Sequence, residues 1–106
     1  MISREILPTF PLCPGVYLMK NATGRIIYVG KAKQLRRRLA SYFQPEHRLA
    51  PKVRVMMTRV EAIDFLCTST EKEALLLEAS LIKKHRPKYN IVLRDDKQYA
   101  LFCLAR

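Results

Sequence analysis

The sequence predicts a single α/β (α+β) domain: a small mixed or antiparallel sheet flanked by helices. Three observations carry that prediction. Strand-like and helix-like segments follow one another in the order β-β-α-α-β-α-β-(β), with no internal repeat or linker. The first two strand patterns are joined by Asn21-Ala22-Thr23-Gly24, a turn sequence. The length of 106 residues, 49% of them hydrophobic, suffices for one core and not for two domains.

Each element has a local reason. Pro11 and Pro14 keep the lead-in before Gly15 extended. Val16-Tyr17-Leu18-Met19 and Arg25-Ile26-Ile27-Tyr28-Val29 read as the strands of a hairpin, ended by Gly30. A helix is expected over about 32–43, where good helix formers run until Pro45, and a second over about 51–59. Residues 61–67 read as a strand. Thr70-Glu71-Lys72-Glu73 is a capping box that opens the longest helix, about 71–85, before Pro87 stops it. Residues 89–93 and 98–104 are further short strand candidates.

Charge is distributed unevenly. The formal net charge is +11, and residues 1–60 hold 12 basic side chains against two acidic ones. A domain this basic suits a polyanion, nucleic acid before an anionic membrane. No apolar run approaches a membrane span and no signal peptide opens the chain. Cys13, Cys67 and Cys103 are isolated, so half-buried thiols in a reducing cytoplasm are expected rather than a disulfide or zinc framework.

Three groups of residues carry candidate chemistry. A loop centred on Ala22-Thr23 pairs Tyr17 with Tyr28, placing two phenols on one face of the hairpin. On the following helix, Lys31, Arg38 and Tyr42 border the apolar stripe, where a cation needs an anionic partner. Lys31 would sit at the helix start, where backbone N–H groups favour anions. Lys33 and Arg37 point to solvent and Arg36 lies at the other edge of the stripe, as expected of phosphate contacts. Glu78 falls on the apolar side of its helix near Leu75, Leu81 and Ile82, a costly position unless the carboxylate is paired or holds a metal. His85 reads as a complement to the helix terminus, and Asn90 as a turn or strand-edge residue.

Gly15-Val16-Tyr17, then Tyr28-Val29-Gly30, resembles the signature of the GIY-YIG nucleases. Lys31-Ala32-Lys33 with Arg38, Ser41 and Tyr42, the segment from Thr70 to Glu78, and His85-Arg86-Pro87-Lys88-Tyr89-Asn90 extend the match to the UvrC-type branch. The resemblance implies the GIY-YIG fold and catalytic positions at Tyr17, Tyr28, Lys31, Arg38, Tyr42 and Asn90. It also implies one Mg²⁺ or Mn²⁺ ion on Glu78. Lys33, Arg36, Arg37, Lys52 and Arg54 are the DNA-backbone candidates.

The implied activity is phosphodiester hydrolysis on the 3′ side of a lesion in double-stranded DNA, during nucleotide excision repair. The implied partner of the longer protein is UvrB. Residues 1–106 are expected to be a monomeric, cytoplasmic domain, an N-terminal piece of that protein before the alternative of a free-standing Cho-like relative. The competing reading is a non-catalytic basic nucleic-acid-binding module, which rests on charge alone. Tyr28 is the expected base and Tyr17 its partner, with Lys31 favouring the phenolate. The sequence leaves the two tyrosines interchangeable.

Overall fold

The structure, a computed structural model, describes residues 4–93. The expected strand candidate at 98–104 lies outside the described residues. Strands β1 (Gly15–Lys20), β2 (Ile26–Ala32) and β3 (Ala62–Cys67) form an antiparallel sheet in the order β2-β1-β3. Around it lie α1 (Leu35–Ala40), α2 (Pro51–Arg59) and α3 (Glu71–His85), with 3-10 turns at Arg4–Thr9, Ser41–Phe43 and Glu46–Arg48. Among the described residues no helix is long and apolar enough to cross a membrane.

The hairpin register differs from the sequence expectation. Tyr17 pairs with Gly30, and Met19 pairs with Tyr28. The loop has three residues, because Gly24 takes a left-handed φ of 84° and bonds back to the Asn21 carbonyl at 2.9 Å. The Asn21 side chain fastens this turn by accepting from the backbone N–H groups of Thr23 and Arg25. A three-residue loop alone would turn Tyr28 to the wrong face. The ladder shifts again between Met19 and Lys20, leaving Ile27 unpaired as a bulge, and that second shift returns Tyr28 to the face of Tyr17.

The second strand also runs further than expected. Lys31 and Ala32 pair with Val16 and Gly15, so β2 continues through Gly30 and Lys31 lies on a strand, not at a helix start. Helix α1 consequently begins at Leu35 without a side-chain cap. The lead-in caps it instead: Leu35 N–H donates to the Cys13 carbonyl at 3.1 Å and Arg36 N–H to that of Pro11 at 3.0 Å.

The sheet separates two apolar clusters. On one face Tyr17, Met19 and Tyr28 pack with Leu35, Leu39, Tyr42, Met56, Met57 and Val60. On the other, Val16, Leu18 and Val29 meet Ala74 of α3, with Leu77, Leu81 and Ile82 beside them. Leu75, expected beside Glu78 on the apolar face, is 48% exposed; the buried stripe starts at Ala74. The capping box forms: Glu73 N–H donates to Thr70 Oγ1 at 3.1 Å, and the Glu73 carboxylate accepts from Ser69 N–H.

Two further expectations are corrected. Residues 88–93 are helical, not a strand, because the chain after Pro87 turns immediately and Asn90 N–H bonds the Pro87 carbonyl at 3.2 Å. Cys13 and Cys67 form a disulfide, not separate thiols, with Cα atoms 6.2 Å apart. They stand 54 residues apart in sequence, and only the pairing of Gly15 with Cys67 brings the lead-in to the end of β3.

Candidate active site

Strand β2 lies at an edge of the sheet, and its outer backbone groups are claimed by two side chains. Asn90 Oδ1 accepts from Val29 N–H at 2.8 Å, and Asn90 Nδ2 donates to the Val29 carbonyl at 2.8 Å. The amide thus imitates a neighbouring strand. Two residues further, Glu78 Oε2 accepts from Lys31 N–H at 2.8 Å. That bond answers the question raised by a carboxylate on the inner side of α3: one oxygen is held by the strand it faces.

The other oxygen, Oε1, has no hydrogen-bond partner among the described residues, and Glu78 lines a groove of about 520 Å³ together with Asn90. One carboxylate beside open space fits a hard divalent cation that keeps most of its water shell, as Mg²⁺ does. No group of three or more His, Cys, Asp or Glu gathers among the described residues, so the donor set does not suit a closed zinc cage.

The second half of the site is a tyrosine cluster on the opposite face of the sheet from α3. The Tyr17 and Tyr42 hydroxyls are hydrogen-bonded at 2.6 Å, and Arg38 Nε donates to the Tyr17 hydroxyl at 3.4 Å. The Arg38 guanidinium also lies 5.4 Å from the Tyr42 ring centre. The Tyr17 and Tyr28 rings are 6.1 Å apart. Tyr28, Arg38, Ser41, Tyr42 and Arg48 line a groove of about 380 Å³; Tyr17 is not among its lining residues, and both Tyr17 and Tyr28 are buried, each 1% exposed.

Electrostatics follow from this burial. Loss of solvent raises the Tyr17 and Tyr28 phenols well above their ordinary value, and the neighbouring Tyr42 adds to both shifts. Arg38 opposes the rise at each tyrosine. Burial pulls Arg38 downward, but Tyr17 and Tyr42 outweigh it, so the guanidinium is held firmly charged. Glu78 contributes a small upward push at Tyr28, so the two halves of the site lie within electrostatic reach.

A family model described as the UvrC-like GIY-YIG domain matches residues 13–91. The chain belongs to this family. It is 66% identical over 101 residues to UvrABC system protein C of Nitratidesulfovibrio vulgaris, covering 95% of this chain and 15% of the relative. It is 50% identical over 101 residues to UvrABC system protein C of Gloeobacter violaceus, covering 95% of this chain and 16% of that protein. The chain therefore spans roughly a sixth of the length of these curated relatives. The GIY-YIG N-terminal endonuclease domain of UvrC from Thermotoga maritima, bound to its catalytic magnesium, superposes with a TM-score of 0.72 at 43% identity, over 81% of this chain and 92% of that one. Variants of that domain with an asparagine replaced by alanine, or a tyrosine by phenylalanine, are also bound to the divalent cation.

In this GIY-YIG chain, the seven positions expected at the centre divide between the two halves. Tyr17, Tyr28, Arg38 and Tyr42 form the phenol cluster; Glu78, Asn90 and the Lys31 backbone form the β2 edge. The Lys31 side chain departs from expectation. Alternation along β2 sends it to the α3 face, away from Tyr28, and its Nζ pairs with Glu71 Oε2 at 3.3 Å. The cation acting on the tyrosines is Arg38.

The backbone-contact candidates also separate. Lys33 and Arg37 are exposed around a shallow groove with Gln34, Arg38 and Ser41. Arg36 spends its donors on the Phe10 carbonyl at 2.7 Å and the Pro8 carbonyl at 3.4 Å, so it ties the N-terminal turn to α1 rather than facing solvent. Lys52 is exposed and Arg54 half-buried on α2. His85 is exposed. The groove residue Arg48 escaped the sequence reading because only the turn after Pro45 folds it toward Tyr28.

Proposed function

We propose that this chain is a divalent-metal-dependent endonuclease domain that hydrolyses a DNA phosphodiester. One observation carries the reading: Glu78, with one carboxylate oxygen held by Lys31 N–H and the other open, adjoins the same strand that presents Tyr28 to a groove beside Arg38. A bound Mg²⁺ or Mn²⁺ on Glu78 supplies charge stabilisation to the phosphoryl oxygens and the departing 3′-oxygen. Arg38, fixed against Tyr17 and Tyr42, offers a planar cation to the scissile phosphate.

Tyr28 accepts the proton of the attacking water, directly or through a second water. Its place on the groove lining supports this, since Tyr17 does not line that groove and its hydroxyl bonds Tyr42 and Arg38 instead. Both phenols hold their protons at neutral pH, so the base becomes competent as the site gains positive charge or as pH rises. The likeness to UvrABC system protein C supports the wider reading: 3′-side incision of lesion-bearing duplex DNA in nucleotide excision repair, together with UvrB, in the cytoplasm.

The experiment is nicking of supercoiled DNA by the chain in Mg²⁺ or Mn²⁺. Nicking that EDTA and Glu78→Gln abolish is expected. Salt-sensitive DNA binding with no metal-dependent nicking would return the chain to a basic binding module.

A further inference from the structure

The groove beside Glu78 is larger than a single cation needs. Its lining combines Glu78 and Asn90 with the cations Lys83 and Arg86 and the apolar surfaces of Ile82 and Ile91. A volume of about 520 Å³ is in the range of a small-ligand site and has room for one nucleotide. Neither Lys83 nor Arg86 has an ion pair among the described residues, and both are exposed. Ile91 is 64% exposed along the same wall, a surface suited to a sugar or base face.

Arg86 has a second peculiarity. It closes α3 in the left-handed conformation, φ 43° and ψ 58°, and is the one non-glycine residue with positive φ among the described residues. Glycine is the usual residue there, since it meets no Cβ penalty. An arginine held in that conformation keeps a cationic residue in the groove lining at a cost that glycine would avoid.

We propose that this groove is a nucleotide subsite, in which Lys83 and Arg86 hold the backbone phosphate next to the scissile one. The inference rests on the endonuclease reading and adds a direction to it. The occupant is the nucleotide that carries the departing 3′-oxygen, because the groove opens from the carboxylate assigned to the metal. The substrate strand then crosses the β2 edge from the Tyr28 groove to the Arg86 groove.

The test is DNA binding in EDTA, where the metal plays no part, across a series of salt concentrations. Arg86→Gly preserves the left-handed turn and Lys83→Ala changes an exposed helix position, so both variants should fold. Each should lower the slope of log affinity against log salt by about 0.9, and the double variant by about twice that. Titration with Mn²⁺ alone should match the unsubstituted chain, and Arg4→Ala should leave the slope unchanged. A double variant with the original slope overturns the subsite, as does an equal loss from Arg4→Ala. A chain that neither binds DNA in a salt-dependent way nor nicks it defeats the endonuclease reading and the subsite together. Nicking with an unaltered slope in the double variant defeats the subsite alone.

Discussion

Tyr17 stands directly across from Gly30 in the β1–β2 ladder, and its phenol fills the space that a side chain at Gly30 would need. A Cβ there would collide with both the ring and the hydroxyl. The two signature residues are therefore a single packing unit. Gly15 has a similar reason: a Cβ would come within 2.9 Å of Leu35 Cδ1 and collide with the Leu66 carbonyl.

Gly30→Ala should accordingly displace the Tyr17 phenol and loosen its bond to Tyr42. Overpacking of this kind costs about 1–3 kcal/mol, read as a lower urea midpoint with reduced nicking. Gly24→Ala is the contrast. Its Cβ meets nothing within 4 Å, so only the left-handed backbone is strained, and nicking should survive.

Tyr28→Phe and Tyr17→Phe should separate by pH profile. Below its raised pKa the Tyr28 phenolate fraction grows tenfold per pH unit, so the single-turnover rate should rise with pH. Tyr28→Phe should lower the rate by about 10²–10⁴ and flatten that rise. Tyr17→Phe should be slower than the unsubstituted chain but keep the slope. An unchanged slope in Tyr28→Phe would remove it as the base.

Alkaline pH should destabilise the fold. The buried phenols have raised values in the folded chain, so their contribution is complete below about pH 10, the unfolded value. Above it the unfolded chain ionises first, and stability falls until the folded phenols titrate. The expected loss is about 1.4 kcal/mol per pH unit for each such tyrosine. Urea unfolding at pH 8 and pH 11 measures it, and Tyr17→Phe should remove one share.

Glu78→Gln and Asn90→Ala probe the two clasps on β2 differently. Glutamine can still accept from Lys31 N–H, so Glu78→Gln should fold normally while Mn²⁺ affinity falls at least about tenfold. Asn90→Ala strips both bonds from Val29 and should cost about 1–3 kcal/mol, with Mn²⁺ affinity retained. Mn²⁺ calorimetry and urea unfolding on each variant decide between these outcomes.

Local chemistry alone determined much of this protein. Turn residues at 21–24 announced the hairpin, Thr70 and Glu73 announced α3, and a carboxylate inside an apolar stripe marked Glu78. These signals are legible because each depends on neighbours within a few residues. The family resemblance then named the remaining positions. What the tertiary structure decided were matters of register and long-range pairing. A three-residue loop and a bulge each shift the ladder by one, and only their sum returns Tyr28 to the side of Tyr17. The extension of β2 put Lys31 on the α3 face with Glu71, leaving Arg38 as the cation of the tyrosine cluster. The Cys13–Cys67 pair likewise awaited β3, since no local pattern encodes a contact across 54 residues.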